Sequence, residues 1–303
     1  MEIIKRGTNI DFVGKRKLAL FFSLTLIAIT IASLVYKKGP NYGIDFAGGT
    51  QVIVKFSDDP SISDLRESLE AAQLGDILVQ DFGDGIGEYL IRVEKSNSET
   101  ERLSLRIREK LTEKFGADSY EVQSVEMVGP QVGGDLKEKA LMAILYAMVG
   151  ILIYVSLRFE FRYAVGAVIA LMHDVLITVG AFSVTNYEIS LPVVAALLAV
   201  IGYSLNDTII VYDRIRDNLK RAKRGEENSC INTSINETLS RTLLTSITTL
   251  MVVGILFVYG GGVIHNFAFA LMIGIMIGTY SSVFVASPVL IYYNELTSKK
   301  KVA

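Results

Sequence analysis

One aspartate interrupts a run of apolar residues that is long enough to cross a membrane. Asp207 is the only charged residue within 191–212. At about 100° per residue, it shares a stripe with Ala196 and Val200, and such a small-residue stripe is typical of a face packed against another helix. A carboxylate inside a helix bundle can be relieved of its desolvation cost by taking up a proton, so Asp207 is a candidate for proton transfer. The alternative is an interfacial position, because the charged segment beginning at Asp213 is only six residues away.

An arginine near the start of a later apolar run is a candidate partner for this carboxylate. Arg241 is followed on the same helical face by Thr245 and Thr248. It is expected at the same depth as Asp207 in an antiparallel neighbouring helix, with the two threonine hydroxyls supporting a water chain. Protonation of the acid would remove its attraction for the guanidinium and allow the helices to repack. The alternative is a local pair with Glu237, four residues earlier on the same helix.

A second acid lies near the middle of another apolar run. Asp174 is about eleven residues from either end of 163–184. A charge at this depth costs about 2.5–3.5 kcal/mol on insertion scales, so the group should be paired, hydrated or protonated. It is a second candidate for the proton path, and the alternative is a neutral, hydrogen-bonded aspartic acid that holds helices together. His173 is predicted to point to a different face, as a packing residue or a proton carrier.

These side chains belong to a chain built largely from membrane-crossing segments. Half of its 303 residues are hydrophobic, and stretches of about 20 apolar residues recur, which is the length that crosses a bilayer core. The sequence predicts six transmembrane helices, at 18–36, 139–157, 163–184, 191–212, 241–259 and 267–293.

The distribution of Lys and Arg predicts the orientation of these spans. Basic residues occur in the N-terminal segment 1–17, the connection 213–240 and the tail 294–303. The turns 186–190 and 260–266 contain neither Lys nor Arg. Positive flanks remain in the cytoplasm. Both chain termini are therefore predicted to be cytoplasmic, with segment 37–138 on the opposite side.

Segment 37–138 has the pattern of a separate α+β domain. Alternating β-branched stretches predict strands at 50–56, 76–83, 88–95 and 120–129, with amphipathic helices predicted at 61–74 and 98–116. The order β-α-β-β-α-β is the ferredoxin-like arrangement.

No chemistry beyond binding or mechanical work is predicted for this domain. It contains neither His nor Cys, so the sequence predicts no metal site. It also predicts no cofactor and no catalytic set, and the whole chain is predicted not to be an enzyme. Gly48 and Gly49 precede the first predicted strand; they are interpreted as a tight turn or as a functional motif.

Five segments of the chain resemble one membrane-protein family. They are "GIDFAGGT" (43–50), "VGPQVGGDL" (128–136), "RFEFRYAVGAVIALMHDVLITVGAF" (158–182), "VIGYSLNDTIIVYDRIRDN" (200–218) and "INETLSRTLLTSITTLMVV" (235–253). They look like the signature segments of the SecF family, whose members are subunits of the bacterial SecDF protein-export complex in the resistance-nodulation-division superfamily.

The resemblance implies a function and a set of partners. It implies six spans in the bacterial inner membrane with a periplasmic domain, a SecD subunit as partner, and association with the SecYEG channel and YajC. The implied activity is the use of the proton motive force to promote late steps of preprotein translocation, after the SecA motor has acted. The acid and arginine of the family's proton path fall on Asp207 and Arg241, and Asp174 falls in its His-Asp segment with its role open.

Two other functions remain as alternatives at this stage. A non-transporting scaffold of the Sec complex would use the same charges for structure alone. A proton-coupled small-solute exporter of the same superfamily would have similar spans.

Overall fold

The computed structural model describes residues 8–70, 77–82, 87–93, 100–223 and 225–293. Parts of several predicted elements therefore lie outside the described residues. These are the first seven residues of the chain, the tail 294–303, the C-terminal end of the helix predicted at 61–74, the start of the helix predicted at 98–116, and the outer ends of the strands predicted at 76–83 and 88–95.

The chain begins with a membrane helix and continues into the α+β domain. Helix α1 spans Arg16–Tyr36 and a short helix α2 spans Ile44–Ala47. The domain then follows, with its elements given in chain order: β1 Gly49–Phe56, α3 Ile62–Glu70, β2 Ile77–Asp81, β3 Glu88–Val93, α4 Thr100–Phe115 and β4 Tyr120–Val128.

The four strands form one antiparallel sheet in the order β2-β3-β1-β4. This is the strand order of the ferredoxin-like arrangement, so the predicted topology is confirmed. One face of the sheet joins α3 and α4 in an apolar core around Val54, Leu65, Ile91 and Leu111. Arg92, in contrast, is a buried charged residue of β3, a central strand.

Five helices follow the domain. They are α5 Pro130–Arg158, α6 Phe161–Thr185, α7 Leu191–Leu219, α8 Glu227–Tyr259 and α9 Gly261–Ser281, which continues through a π-helical turn at Ser282–Ala286 and remains helical to Tyr293. Within the described residues, six helices, counting α9 with its extension, are long and apolar enough to cross a membrane. The predicted fold class is confirmed.

The connection predicted at 213–240 is mostly helical. Helix α7 runs on to Leu219 and α8 begins at Glu227, so both helices extend beyond the apolar segments that defined the predicted spans. Hydropathy marks only the part of a helix that lies in the hydrocarbon, whereas the helix itself continues as long as its backbone hydrogen bonds do.

The two adjacent glycines serve close packing as well as a turn. Gly48 has φ +74° and Gly49 has φ +124°, which other residues rarely adopt. A Cβ atom on Gly48 would lie 2.9 Å from the Cα atom of Pro130, the first residue of α5. The pair therefore turns the chain into β1 and at the same time seats the start of α5 against it.

Burial is uneven among the membrane helices. Half or more of the apolar window is buried in α6, α7 and α9, against 17% or less in α1, α5 and α8. Glycines allow α9 to pack closely against α7. A Cβ atom on Gly274 would lie 2.2 Å from Cγ2 of Val200, and one on Gly278 would lie 2.9 Å from Cβ of Ser204. The inner layer of the bundle is thus α6, α7 and α9, and it carries both candidate acids.

Candidate proton-transfer site in the helix bundle

Asp207 lies inside the bundle, as predicted. Its side chain on α7 is fully buried, which excludes the exposed interfacial position in this structure. One carboxylate oxygen, Oδ2, is 3.5 Å from the hydroxyl of Ser246 on α8, the outer limit of a hydrogen bond. The other, Oδ1, has no hydrogen-bond partner among the residues that the structure describes. An acid in this weakly bonded, buried position is well suited to alternate between charged and neutral forms.

Hydroxyl groups line the contact between α7 and α8 near this acid. The hydroxyl of Ser246 lies 2.7 Å from that of Thr279 on α9. Thr208 and Thr242 are buried, and within the described part of the chain their hydroxyls have no hydrogen-bond partner. Together with Ser246, they make the contact between α7 and α8 beside Asp207 a polar one.

Arg241 lies at the edge of the bundle. It lines a cleft of about 420 Å³ together with Arg158, Asp213 and Asp217, and its side chain is exposed. Among the ion pairs found in the described residues, none joins Arg241 to Asp207; their charges interact at longer range. A direct pair between the two therefore remains a prediction.

The local alternative for Arg241 is not observed. Glu237 instead accepts hydrogen bonds from Nε of Arg214 at 2.6 Å and from Nδ2 of Asn218 at 2.8 Å. Both partners lie on α7, so Glu237 joins α7 to α8 and does not neutralise Arg241 along α8.

The buried hydroxyl groups of α8 belong to other residues than the predicted Thr245 and Thr248. Thr245 and Thr248 donate to carbonyl oxygens of their own helix. The buried hydroxyl stripe of α8 runs through Thr238, Thr242 and Ser246. The four-residue spacing of these three residues was the available signal, but it marks a different face of α8 from the one that carries Arg241.

Asp174 has several hydrogen-bond partners, whereas Asp207 has one long contact. It is fully buried on α6, and its Oδ2 accepts from Ser204 of α7 at 2.6 Å and from Ser281 of α9 at 2.7 Å. Its Oδ1 lies 2.9 Å from Nδ1 of His173. This carboxyl group ties together the three helices of the inner layer.

His173 does not point away from Asp174 as predicted. Its ring turns back along α6 to the carboxylate, and its Nε2 lies 3.1 Å from the hydroxyl of Ser23 on α1. Ser23 lies 3.1 Å from the hydroxyl of Tyr280, which donates to the carbonyl of Ala19. The imidazole thus links α1 to the acid, a role that adjacency in sequence alone did not reveal.

The polar groups around the two acids lie close together along α7 and α9. Ser204, bonded to Asp174, precedes Asp207 by three residues on α7. Ser281, also bonded to Asp174, follows Thr279 by two residues on α9. The geometry places both polar clusters side by side within an apolar bundle, about one helical turn apart.

Family models match five of the six membrane helices in full. Residues 107–296 match the model described as "Protein export membrane protein SecD/SecF, C-terminal", and residues 34–60 match the "SecD/SecF GG Motif". The second match contains Gly48 and Gly49.

The chain belongs to the SecD/SecF protein-export family.

Its SecF-family relatives match it over almost their whole length. The protein translocase subunit SecF of Magnetococcus marinus is 50% identical over all of this chain and 97% of its own length. The one from Calditerrivibrio nitroreducens is 49% identical over 95% of each chain. The one from Vibrio alginolyticus is 46% identical over 94% of this chain and 90% of its own.

A solved SecDF structure has the same fold. The crystal structure of SecDF from Thermus thermophilus, described as a translocon-associated membrane protein, is similar with a TM-score of 0.85 and 36% identity over 95% of this chain. A SecDF structure described as a super-membrane-facing form has a TM-score of 0.72. The present chain spans 39% and 41% of those two chains, so it is similar to one part of a longer SecDF protein.

Proposed function

We propose that this chain acts as a SecF-type protein translocase subunit, using the proton motive force to promote late steps of preprotein translocation across the bacterial inner membrane. The observation that carries the proposal is a fully buried, weakly bonded carboxylate, Asp207, in a bundle whose relatives are named protein translocase subunits. The activity involves no covalent chemistry on the substrate, so the chain is not an enzyme in this proposal.

Proton uptake at Asp207 supplies the driving step. In the charged state, Asp207 attracts Arg241 and favours an arrangement in which α8 approaches α7. Protonation removes that attraction and the desolvation cost of the charge, which favours a second packing. One charge moved through 100 mV releases about 2.3 kcal/mol, which shifts a balanced two-state equilibrium by roughly 50-fold. Asp174, whose partner Ser204 lies about one turn from Asp207 on α7, either relays the proton or holds the three helices in register.

A second membrane subunit completes the site. Arg241 is exposed on α8, and a guanidinium group is costly against lipid. Apolar side chains such as Met251 and Ile255 continue the same exposed surface. We assign this surface to contact with SecD, whose own acid completes the proton path. The SecYEG channel, YajC and, indirectly, SecA are the further partners in this proposal.

The proposed orientation places the proton path across the inner membrane. Both chain termini lie in the cytoplasm, where the basic flanks of the spans remain. The α+β domain lies in the periplasm and acts on the unfolded preprotein there.

Substitution of Asp207 by Asn tests this function. Preprotein translocation is measured in inverted vesicles that contain the chain with SecD, with and without an imposed proton gradient, alongside Arg241→Met. Asn has nearly the same shape as Asp and cannot take up the proton, so the gradient-stimulated part of translocation should be lost while the basal part and both subunit levels are retained. Glu113→Gln is the matched control, because Glu113 is an exposed acid that pairs with Lys110 on α4, outside the helix bundle, and it should behave as wild type.

Two results would contradict the proposal. Gradient-stimulated translocation at the wild-type level in Asp207→Asn would remove the acid from the coupling. Loss of either subunit from the membrane in this variant would show that the charge supports assembly, which is the scaffold function.

A further inference from the structure

The short turn between α6 and α7 joins the two helices that carry the candidate acids. It comprises residues 186–190, at the end of the bundle nearest the α+β domain. Any change in the relative position of α6 and α7 is therefore passed directly to this turn. The turn carries Glu188, whose side chain is 8% exposed.

Glu188 is held by two residues of the sheet. Its Oε1 lies 3.6 Å from Nη1 of Arg92 on β3 and accepts a hydrogen bond from Nε2 of Gln80 on β2 at 3.1 Å. Arg92 is 3% exposed. Its Nη1 also donates to the carbonyl oxygen of Tyr42 at 2.7 Å, in the segment that leads from α1 into the domain.

Backbone hydrogen bonds fix this linking segment to the same turn. The amide of Ile189 donates to the carbonyl of Asn41 at 2.8 Å, and the amide of Gly43 donates to the carbonyl of Ile189 at 2.9 Å. The first amide of α7, on Leu191, donates to Oδ2 of Asp45 at 2.7 Å. Asp45 thus caps α7 in place of Ser190, which occupies the cap position without a capping side-chain hydrogen bond.

We propose that the buried pair of Arg92 and Glu188 couples movement of α6 and α7 to the α+β domain during translocation. This inference rests on the proposed function and names the contact through which movement of the helices reaches the domain. Arg92 cannot lose its proton. Because an unpaired buried charge is costly, its guanidinium group should move with the carboxylate of Glu188 and not separate from it. β3 is bonded on both sides, to β2 and to β1, so a displacement applied at Arg92 reaches the whole sheet.

Charge reversal of the pair tests this coupling. Arg92→Glu places two carboxylates together, and Glu188→Arg places two guanidinium groups together. Replacing only one member of a buried ion pair strongly destabilises the contact. Each single variant, assembled with SecD in vesicles, should lose gradient-stimulated translocation by about tenfold or more. Proton flux through the complex should persist in both, because Asp207 and Arg241 are unchanged.

The double variant Arg92→Glu with Glu188→Arg provides the rescue. It restores opposite charges at the same two positions and should recover most of the lost translocation, although the bond from Arg92 to Tyr42 is not replaced. Lys55 and Glu88 supply the matched control, because they form a less buried pair at 3.0 Å in the same sheet, with side chains 49% and 19% exposed. Their reversal should leave translocation at the wild-type level.

The outcomes separate the coupling from the proton path. Translocation lost with proton flux retained, and rescued in the double variant, supports the coupling. Wild-type translocation in the single variants overturns it, as does a failure of the double variant to improve on them at normal subunit levels. If Asp207→Asn has no effect in the same assay, the proposed function itself fails.

Discussion

At the scale of single residues, two buried aspartates in one bundle differ in what surrounds them. Asp174 receives two serine hydroxyls and the ring of His173, whereas Asp207 has one long contact with Ser246. Two serine hydroxyls and an imidazole nitrogen hold the Asp174 carboxyl group in place, whereas Asp207 has no comparable set of partners among the described residues. This contrast supports the proposal that Asp207 transfers the proton and that Asp174 holds the inner helices together.

Replacement of Asp174 should therefore destabilise the bundle. Asp174→Ala removes the acceptor of Ser204, Ser281 and His173, and each buried unpaired donor costs about 1–3 kcal/mol, so we expect a net loss of about 2–4 kcal/mol after local rearrangement. Asp174→Asn should cost less, because its amide can accept from one serine and donate to the other. Thermal unfolding of the solubilised complex, followed by circular dichroism, measures both.

A surface variant tests whether the loss of any acidic side chain lowers the unfolding temperature. Asp217 forms an exposed pair with Lys220, and Asp217→Ala should unfold close to the wild-type temperature. If Asp174→Asn unfolds as early as Asp174→Ala, the negative charge itself, and not the hydrogen-bond pattern, is what the bundle requires.

At the scale of elements, two glycines set the distance between α7 and α9. Gly278 faces Ser204, where a Cβ would lie 2.9 Å from the Cβ and 3.2 Å from the hydroxyl of that serine. The same serine donates to Asp174. Close packing of α7 and α9 is therefore a condition for the hydrogen bonds of the buried acid.

The variant Gly278→Ala should separate these helices and weaken the network. Overpacking of this kind typically costs about 1–3 kcal/mol, so we expect a lower unfolding temperature. Gly254→Ala on α8 is the matched control, because a Cβ there meets nothing within 4 Å; the better helix propensity of Ala should leave that variant as stable as wild type or slightly more so. Equal unfolding temperatures for the two variants would show that the α7–α9 distance is not limiting.

Sequence periodicity was sufficient for the elements but not for the contacts between them. The spans, the order of strands and the buried face of Asp207 follow from local patterns that a single helix or strand expresses. The partners of Asp174 come from α7 and α9, distant in sequence, and serine is too common in membrane helices to mark them. Arg92 was not identified either, because a lone arginine in a β-strand gives no sign that Glu188, 96 residues later, lies opposite it.

At the scale of the whole molecule, the buried pair between the domain and the turn should respond to pH. Burial raises the pKa of Glu188 above its ordinary value, against the attraction of Arg92 and the hydrogen bond from Gln80, which lower it. A group whose pKa is raised in the docked state favours docking below its free pKa, and this contribution is lost as the pH rises through the docked pKa. Contact between domain and bundle should therefore tighten on acidification.

Spin labels at Lys55→Cys and Tyr259→Cys, in a Cys230→Ser background, measure this effect. The distribution of distances between the labels should narrow as the pH is lowered towards the ordinary pKa of a glutamate in the otherwise unchanged protein. In Glu188→Gln, which does not titrate, the width of the distribution should not change with pH. Asp45 and His265 also face this region, so a pH response that survives in Glu188→Gln would assign the effect to them instead.

The wide exposed surfaces of α5 and α8 have a consequence for how a cell supplies this protein. Side chains such as Tyr154 and Tyr259, together with the guanidinium of Arg241, stand on helices that remain largely uncovered. In the proposed complex with SecD, a copy made in excess of its partner would expose these groups to lipid, so the amount of assembled complex would be set by the less abundant polypeptide.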